Sequence, residues 1–261
     1  MRKVLIIGAA LAFYFFVGCG RRGDLEVPAD VGRGLSEADS LRGLWSWLEG
    51  QSGYAADTLR LHTLFELINA MESQSPDSAY ALAQRLELLA QRSTYPAARV
   101  LSRLGWSIAY LSRSAPDSAI AVARQALAFS EQAGYERLKA DALRLMGLGY
   151  QRKNAYDSAM TYCQQAIAIY ESIRYKPGLA LSYNSLGNTY YARAQYATAL
   201  EFYRKALSIW ESVGHKPGMA TSYTNMGIIY YAQGQYEEAI KSYQKALQIR
   251  EVLGDKRGMA N

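Results

Sequence analysis

At 261 residues, half of them apolar and one fifth charged, the chain is long enough for one or two folded domains and carries no signature of disorder. A formal charge of +6, with no block of like charges, argues against a nucleic-acid footprint or an anionic-membrane surface, which cluster Lys and Arg on one face. With 21 Tyr and only 6 Pro, the composition favours stacked helices over a sheet.

The first element is MRKVLIIGAALAFYFFVG, a basic start at Arg2 and Lys3 followed by an apolar run from Val4 to Val17. That run is short for a spanning helix, which needs about 20 residues, and it has the layout of an export signal over residues 1–18. Removing it leaves 27 basic against 23 acidic residues. Residues 19–34 are polar and Gly-rich, as a flexible tether would be. Cys163 is the only cysteine besides Cys19. Next, LSEADSLRGLWSWLEG places Leu41, Leu44, Trp45 and Leu48 on one helical face behind Ser36, and predicts a capping helix within 35–58 or, as the alternative its two Trp leave open, a partner-binding helix.

From there the chain repeats. A shift of 40 aligns 179–218 with 219–258 without a gap; 139–178 joins the same register, 99–138 more loosely, and 59–98 through SPDSAYALAQ against APDSAIAVAR. Each unit reads as two helices. In the clearest, Tyr183, Leu186, Gly187 and Tyr190 mark a first helix, and Tyr196, Ala199, Leu200, Tyr203, Ala206, Leu207 and Trp210 stripe a second. Between them the left-handed turn position holds Asn154, Ala194 and Gly234, and Ala predicts strain there. Gly214 and Gly254 end second helices, and Pro217 blocks continuation. Ser107, Gly147, Gly187 and Gly227 form a small column, Ala119, Ala159, Ala199 and Ala239 another, and Tyr110, Tyr150, Tyr190 and Tyr230 a large one, the alternation by which helical hairpins interlock. The last residues, Met259 to Asn261, read as the start of a sixth first helix, which makes the chain a fragment on this reading.

No catalytic constellation is present. His62 and His215 lie in unrelated contexts without metal-ligand spacing, Cys163 shares an inward column with Tyr203 and Tyr243, and no phosphate loop or nucleophile elbow occurs. Glu237 and Glu238 open a helix, where their charge suits the macrodipole. The chain is therefore expected to be non-enzymatic, with no metal and no cofactor.

The pattern Leu/Met-Gly-x-x-Tyr in the first helix, with Ala, Tyr and Ala at fixed offsets in the second, resembles the tetratricopeptide repeat. The spacing and the links YKPG, HKPG and DKRG are similar to its long-repeat branch. The resemblance implies an all-α, right-handed superhelical solenoid of antiparallel helix pairs over 59–261, with first helices on the concave face. It also implies a ligand-facing set at Arg144, Leu148 and Gln151, then Asn184, Asn188 and Tyr191, then Thr224, Asn225, Ile228 and Tyr231. Amides and rings of that kind suit a peptide. Tyr191 and Tyr231, each following a core Tyr, would on a plainer reading only shield helix ends. Asn188 and Asn225 match two positions of the family's carboxylate clamp, but Asn184 replaces its first Lys and Asn261 stands where a later basic residue belongs, so clamp-type recognition is not expected.

FFVGC resembles the lipobox of bacterial lipoproteins, with Gly18 before Cys19 and Phe16 where that family has Leu. That resemblance implies lipidation of Cys19 and a bacterial membrane-anchored protein on the periplasmic or outer-membrane face; the alternative is an ordinary signal with an incidental Cys. Two functions follow: a lipid-tethered scaffold that binds peptide or protein partners in its groove, or an extracytoplasmic sensory input module of a larger signalling protein with a kinase, cyclase or DNA-binding output. An RNA-binding solenoid is disfavoured by the export signal and the lack of a basic stripe.

Overall fold

The computed structural model describes residues 37–72 and 75–255. Those residues form eleven helices: α1 (Glu37–Glu49), α2 (Tyr54–Met71), α3 (Pro76–Arg92), α4 (Ala98–Ser112), α5 (Pro116–Ala133), α6 (Glu136–Arg152), α7 (Tyr156–Ser172), α8 (Lys176–Ala192), α9 (Tyr196–Val213), α10 (Lys216–Ala232) and α11 (Tyr236–Leu253). The export signal, Cys19 and its tether, Ser36, and the residues from 256 onward lie outside the described residues.

The chain folds as an all-α solenoid in which every helix packs on the one before it. Starts at Glu136, Lys176 and Lys216, and at Tyr156, Tyr196 and Tyr236, keep the forty-residue period. Among the described residues, successive first helices α2, α4, α6 and α8 also touch one another, whereas second helices hardly do. The array therefore curves with its first helices inside. First helices begin ahead of the sequence boundaries, at Glu136, Lys176 and Lys216 rather than 139, 179 and 219, and α2 departs furthest, beginning at Tyr54 rather than 59.

Turn chemistry fixes where the helices stop. Ser114, Asn154, Ala194 and Gly234 occupy one column of left-handed residues, at φ 55°, 58°, 56° and 73°. Gly134, Arg174, Gly214 and Gly254 occupy the other, at 70°, 55°, 69° and 67°. The strain expected at Ala194 is present, and Arg174 shares it, because each side chain accepts a conformation that costs an L-residue about 1 to 2 kcal/mol. Pro76 and Pro116 open their helices, where the missing N–H costs nothing, and Ser75 caps α3 by accepting from the Ser78 N–H at 3.4 Å.

The small columns are the contact points. An added Cβ at Gly187 would lie 2.5 Å from Tyr203 Cε1, and one at Gly147 would lie 2.7 Å from Cys163 Sγ. Ala119, Ala159 and Ala199 are wholly buried, and Ser107 donates to the Ala119 carbonyl at 3.0 Å where later units carry Gly. Cys163 is buried with its thiol pushed up to about 12 by desolvation, the behaviour of a packing residue. Leu44 and Leu48 of α1 bury themselves beside Leu59 of α2, and Trp45 carries the Arg85 guanidinium 4.5 Å above its ring.

A ladder of surface ion pairs crosses the joints. Arg113 meets Asp77 at 2.7 Å, Lys153 meets Asp117 at 2.5 Å and Arg193 meets Asp157 at 2.8 Å, each spanning the same 36 positions. In the next register Ala197 and Gln233 stand where the acid and the cation would be, and the ladder ends.

Candidate functional site: the inner face of the first helices

The inner face divides by charge. On the α2–α6 side, Glu72 lies 3.4 Å from Arg152, and Glu66 lies 3.9 Å from Arg137, so α2 and α6 are joined across α4. Beneath them the Tyr170 hydroxyl donates to Asp141 at 2.6 Å. Arg144 is only 8% exposed. Burial works against its charge, but Tyr170, Asp141 and Glu72 outweigh that and raise its pKa. Burial raises the Glu72 carboxyl, and Arg144 and Arg152 oppose the shift. Arg137 also covers the Tyr175 ring at 4.6 Å. Three arginines and three carboxylates thus balance one another in charge.

The α8–α10 side is different. Beyond Lys176 and Lys216 these two helices carry no charged residue. Their hydroxyls turn inward: Ser185 donates to the Leu181 carbonyl at 3.0 Å, Thr189 to Ser185 at 2.9 Å and Thr224 to Ala220 at 2.9 Å. What is left for a ligand is amide and ring. Asn188 accepts from the Tyr203 hydroxyl at 2.6 Å through Oδ1, which leaves its Nδ2 as the open donor. Asn184 likewise accepts from Ser222 at 3.5 Å. Asn225, half-buried, makes no side-chain hydrogen bond among the described residues. Tyr191, Ile228 and Tyr231 are exposed by 37%, 37% and 64%. Thr224 is also gripped by Arg250 at 3.1 Å.

Of the residues singled out from sequence, Asn184, Asn188, Tyr191, Thr224, Asn225, Ile228 and Tyr231 lie together on α8 and α10, and Leu148 and Gln151 are half-buried on α6. Arg144 does not join them at the surface; its guanidinium is drawn into the network under α2. Glu66, Glu72 and Arg137 were missed by sequence reasoning, because their meeting depends on the curvature of the array and not on any spacing. His215 caps α10 by accepting the Gly218 N–H at 3.0 Å on Nδ1, and burial lowers its pKa to about 4. Among the described residues no group of His, Cys, Asp or Glu could hold a metal ion, and no helix is long and apolar enough to cross a membrane.

The family model for the tetratricopeptide repeat matches residues 138–212 and again 178–252. Over residues 138–252 the chain is thus similar to tetratricopeptide repeats. Solved structures of tetratricopeptide-like form extend the likeness beyond that span. BtubC from P. vanneervenii matches at 18% identity over 83% of this chain and 88% of its own, with a TM-score of 0.57. A Rap protein complexed with competence and sporulation factor matches at 13% identity over 88% of this chain, with a TM-score of 0.68. This chain spans 62% of that protein's length. The apo form of RapI matches at 14% identity over 84% of this chain and 92% of its own, with a TM-score of 0.53. No curated protein sequence matches. At these identities the neighbours establish the tetratricopeptide fold, and the site must be argued from this chain's own residues.

Proposed function

We propose that this chain is a non-enzymatic scaffold that binds a peptide or protein partner along the inner face of α8 and α10. The observation that carries the reading is the uncharged strip itself: open amide donors at Asn184, Asn188 and Asn225 beside the exposed rings of Tyr191 and Tyr231. Amides hold main-chain carbonyls while rings pack the side chains between them. A Rap protein of the same fold was solved complexed with competence and sporulation factor, a use of such a scaffold in keeping with this one. We also propose that the repeats belong to the long-repeat branch, a reading supported by the forty-residue spacing.

We further propose that residues 1–18 direct export and that Cys19 is lipidated, so that the scaffold faces the periplasm or the outer membrane from a lipid tether. Support comes from the basic start, the short apolar run and the FFVGC string.

The groove is tested by panning a random peptide phage library against the chain from Cys19 onward. Selected peptides are expected to lose about tenfold affinity or more for Asn188→Ala, Asn225→Ala and Tyr231→Ala. Peptides that bind all three variants as tightly as the wild type would remove the groove from consideration.

A further inference from the structure

The connection between α3 and α4 breaks the regularity of the array. Later units pass from second to first helix through two or three residues, 134–135, 173–175 and 214–215, whereas here 93–97 intervene. Beside this longer loop, α3, the start of α4 and the end of α5 border an open cleft of about 840 Å³. That is within the range of small-ligand sites. None of its lining residues belongs to the α8–α10 strip.

Its polar groups fall into two classes. The Glu87 carboxylate is fully engaged, accepting from the Ser102 hydroxyl, from Arg103 at 3.3 Å and from Gln91 at 3.3 Å. Burial alone would raise its pKa, but these bonds win and hold it lower. Arg99 is not engaged in this way. It is exposed, its guanidinium lies 5.6 Å from the Phe129 ring centroid, and no carboxylate reaches ion-pair distance among the described residues. The apolar wall is aromatic. Phe129 and Tyr135 are half-buried against the core, and Tyr95 is fixed from behind by its hydroxyl, 3.2 Å from His62 Nε2.

We propose that this cleft is a second binding site, for a ligand bearing a carboxylate beside an aromatic or bulky apolar group. Arg99 receives the carboxylate through its planar fork, and the apolar body lies against Phe129, Tyr95 and Tyr135. Charge selects the ligand. The lining holds Arg99 and Arg103 against Glu87, a surplus of one positive charge, so a single carboxylate balances it. A dianion would bring unbalanced charge next to Glu87, and a cation would meet Arg99 with the one lining carboxylate already saturated. The same chemistry occurs in a free aromatic acid and in a peptide that ends in an aromatic residue.

Calorimetric titrations with 3-phenylpropanoate, with its amide, and with the peptide Ala-Ala-Ala-Phe bearing a free or amidated C-terminus separate the cases. Saturable binding of the acid is expected, weakened about tenfold or more in the amide and in Arg99→Gln. Phe129→Ala should weaken it as well, and Tyr231→Ala, on the separate inner strip, should leave it unchanged. Binding of the free-ended peptide that is weakened both by amidation and by Arg99→Gln assigns a peptide terminus as the source; acid binding with no such response from either peptide assigns a small organic acid. The assignment is overturned if acid and amide bind alike, if Arg99→Gln binds the acid as the wild type does, or if neither acid nor free-ended peptide saturates.

Discussion

Replacing Gly187 by Ala sets two effects of opposite sign against each other. Gly in a helix interior costs about 1 kcal/mol relative to Ala, so propensity alone predicts stabilisation. The added methyl, however, would sit 2.5, 2.7 and 2.9 Å from Tyr203 Cε1, Cδ1 and Cζ, where carbon contacts need about 3.5 Å or more. The ring cannot swing away freely. Tyr203 is 2% exposed and its hydroxyl is committed to Asn188 at 2.6 Å. Overpacking of this kind costs about 1 to 3 kcal/mol, so against the propensity gain the clash should win by up to about 2 kcal/mol. For a chain of this size that is a fall of up to about 8 °C in Tm, read by circular dichroism. In a Tyr203→Ala background the obstacle is gone and the sign should reverse, with Gly187→Ala raising Tm. A rise in the wild-type background would refute the close-approach account of the glycine column.

Ala194→Gly, which relieves the left-handed turn at φ 56°, should raise stability by about 1 kcal/mol in urea unfolding, and Arg174→Gly should do the same at φ 55°. Cys163, with its thiol pushed up to about 12, should resist iodoacetamide at pH 8 in the folded protein and react only when urea unfolds it. The folded-state pKa of His215, about 4, lies below the ordinary 6.5, and that of His62, about 3, does too. Their neutral forms therefore contribute stability that is complete above about pH 6.5 and is lost as pH falls toward 4; His215→Asn, which keeps a capping side chain without titrating, should flatten part of that decline in thermal melts. Labelled palmitate should enter the wild-type chain and not Cys19→Ser, and equal incorporation into both would refute lipidation. Peptides bound to the uncharged α8–α10 strip should hold their affinity from about 50 mM to 0.5 M salt, and a steep decline would place an ion pair in the site.

The fold was legible because the same solution is written several times. One unit alone would not reveal why residue 187 is Gly; its alignment with Gly147 and Gly227, and that of Tyr203 with Cys163 and Tyr243, shows a large residue seated over a small one before any contact is known. The amide and ring positions of α8 and α10 came instead from the family resemblance, and the structure sets them side by side on those two helices. Arg144 was not. Its place in the repeat puts it on the inner face, but its surroundings are set by Glu72 of α2, in the unit least like the others, and by a curvature that no periodicity encodes. The cleft beside 93–97 depends on the one link that departs from the repeat, and departures carry no pattern to read.

The rungs Asp77–Arg113, Asp117–Lys153 and Asp157–Arg193 all span an identical length of chain. Each is exposed and contributes little to stability, but together they act as a gauge. An insertion or deletion inside any of those three spans would leave an acid and a cation out of step, so the alignment of neighbouring units is checked once by apolar packing and again by charge. At Ala197 and Gln233 both halves of the gauge are missing at once, and apolar packing, with the hydrogen bonds of Arg204 to Tyr230 and of Ser222 to Asn184, sets the spacing. That joint is aligned without a rung of charge, and it is the joint that carries the exposed strip.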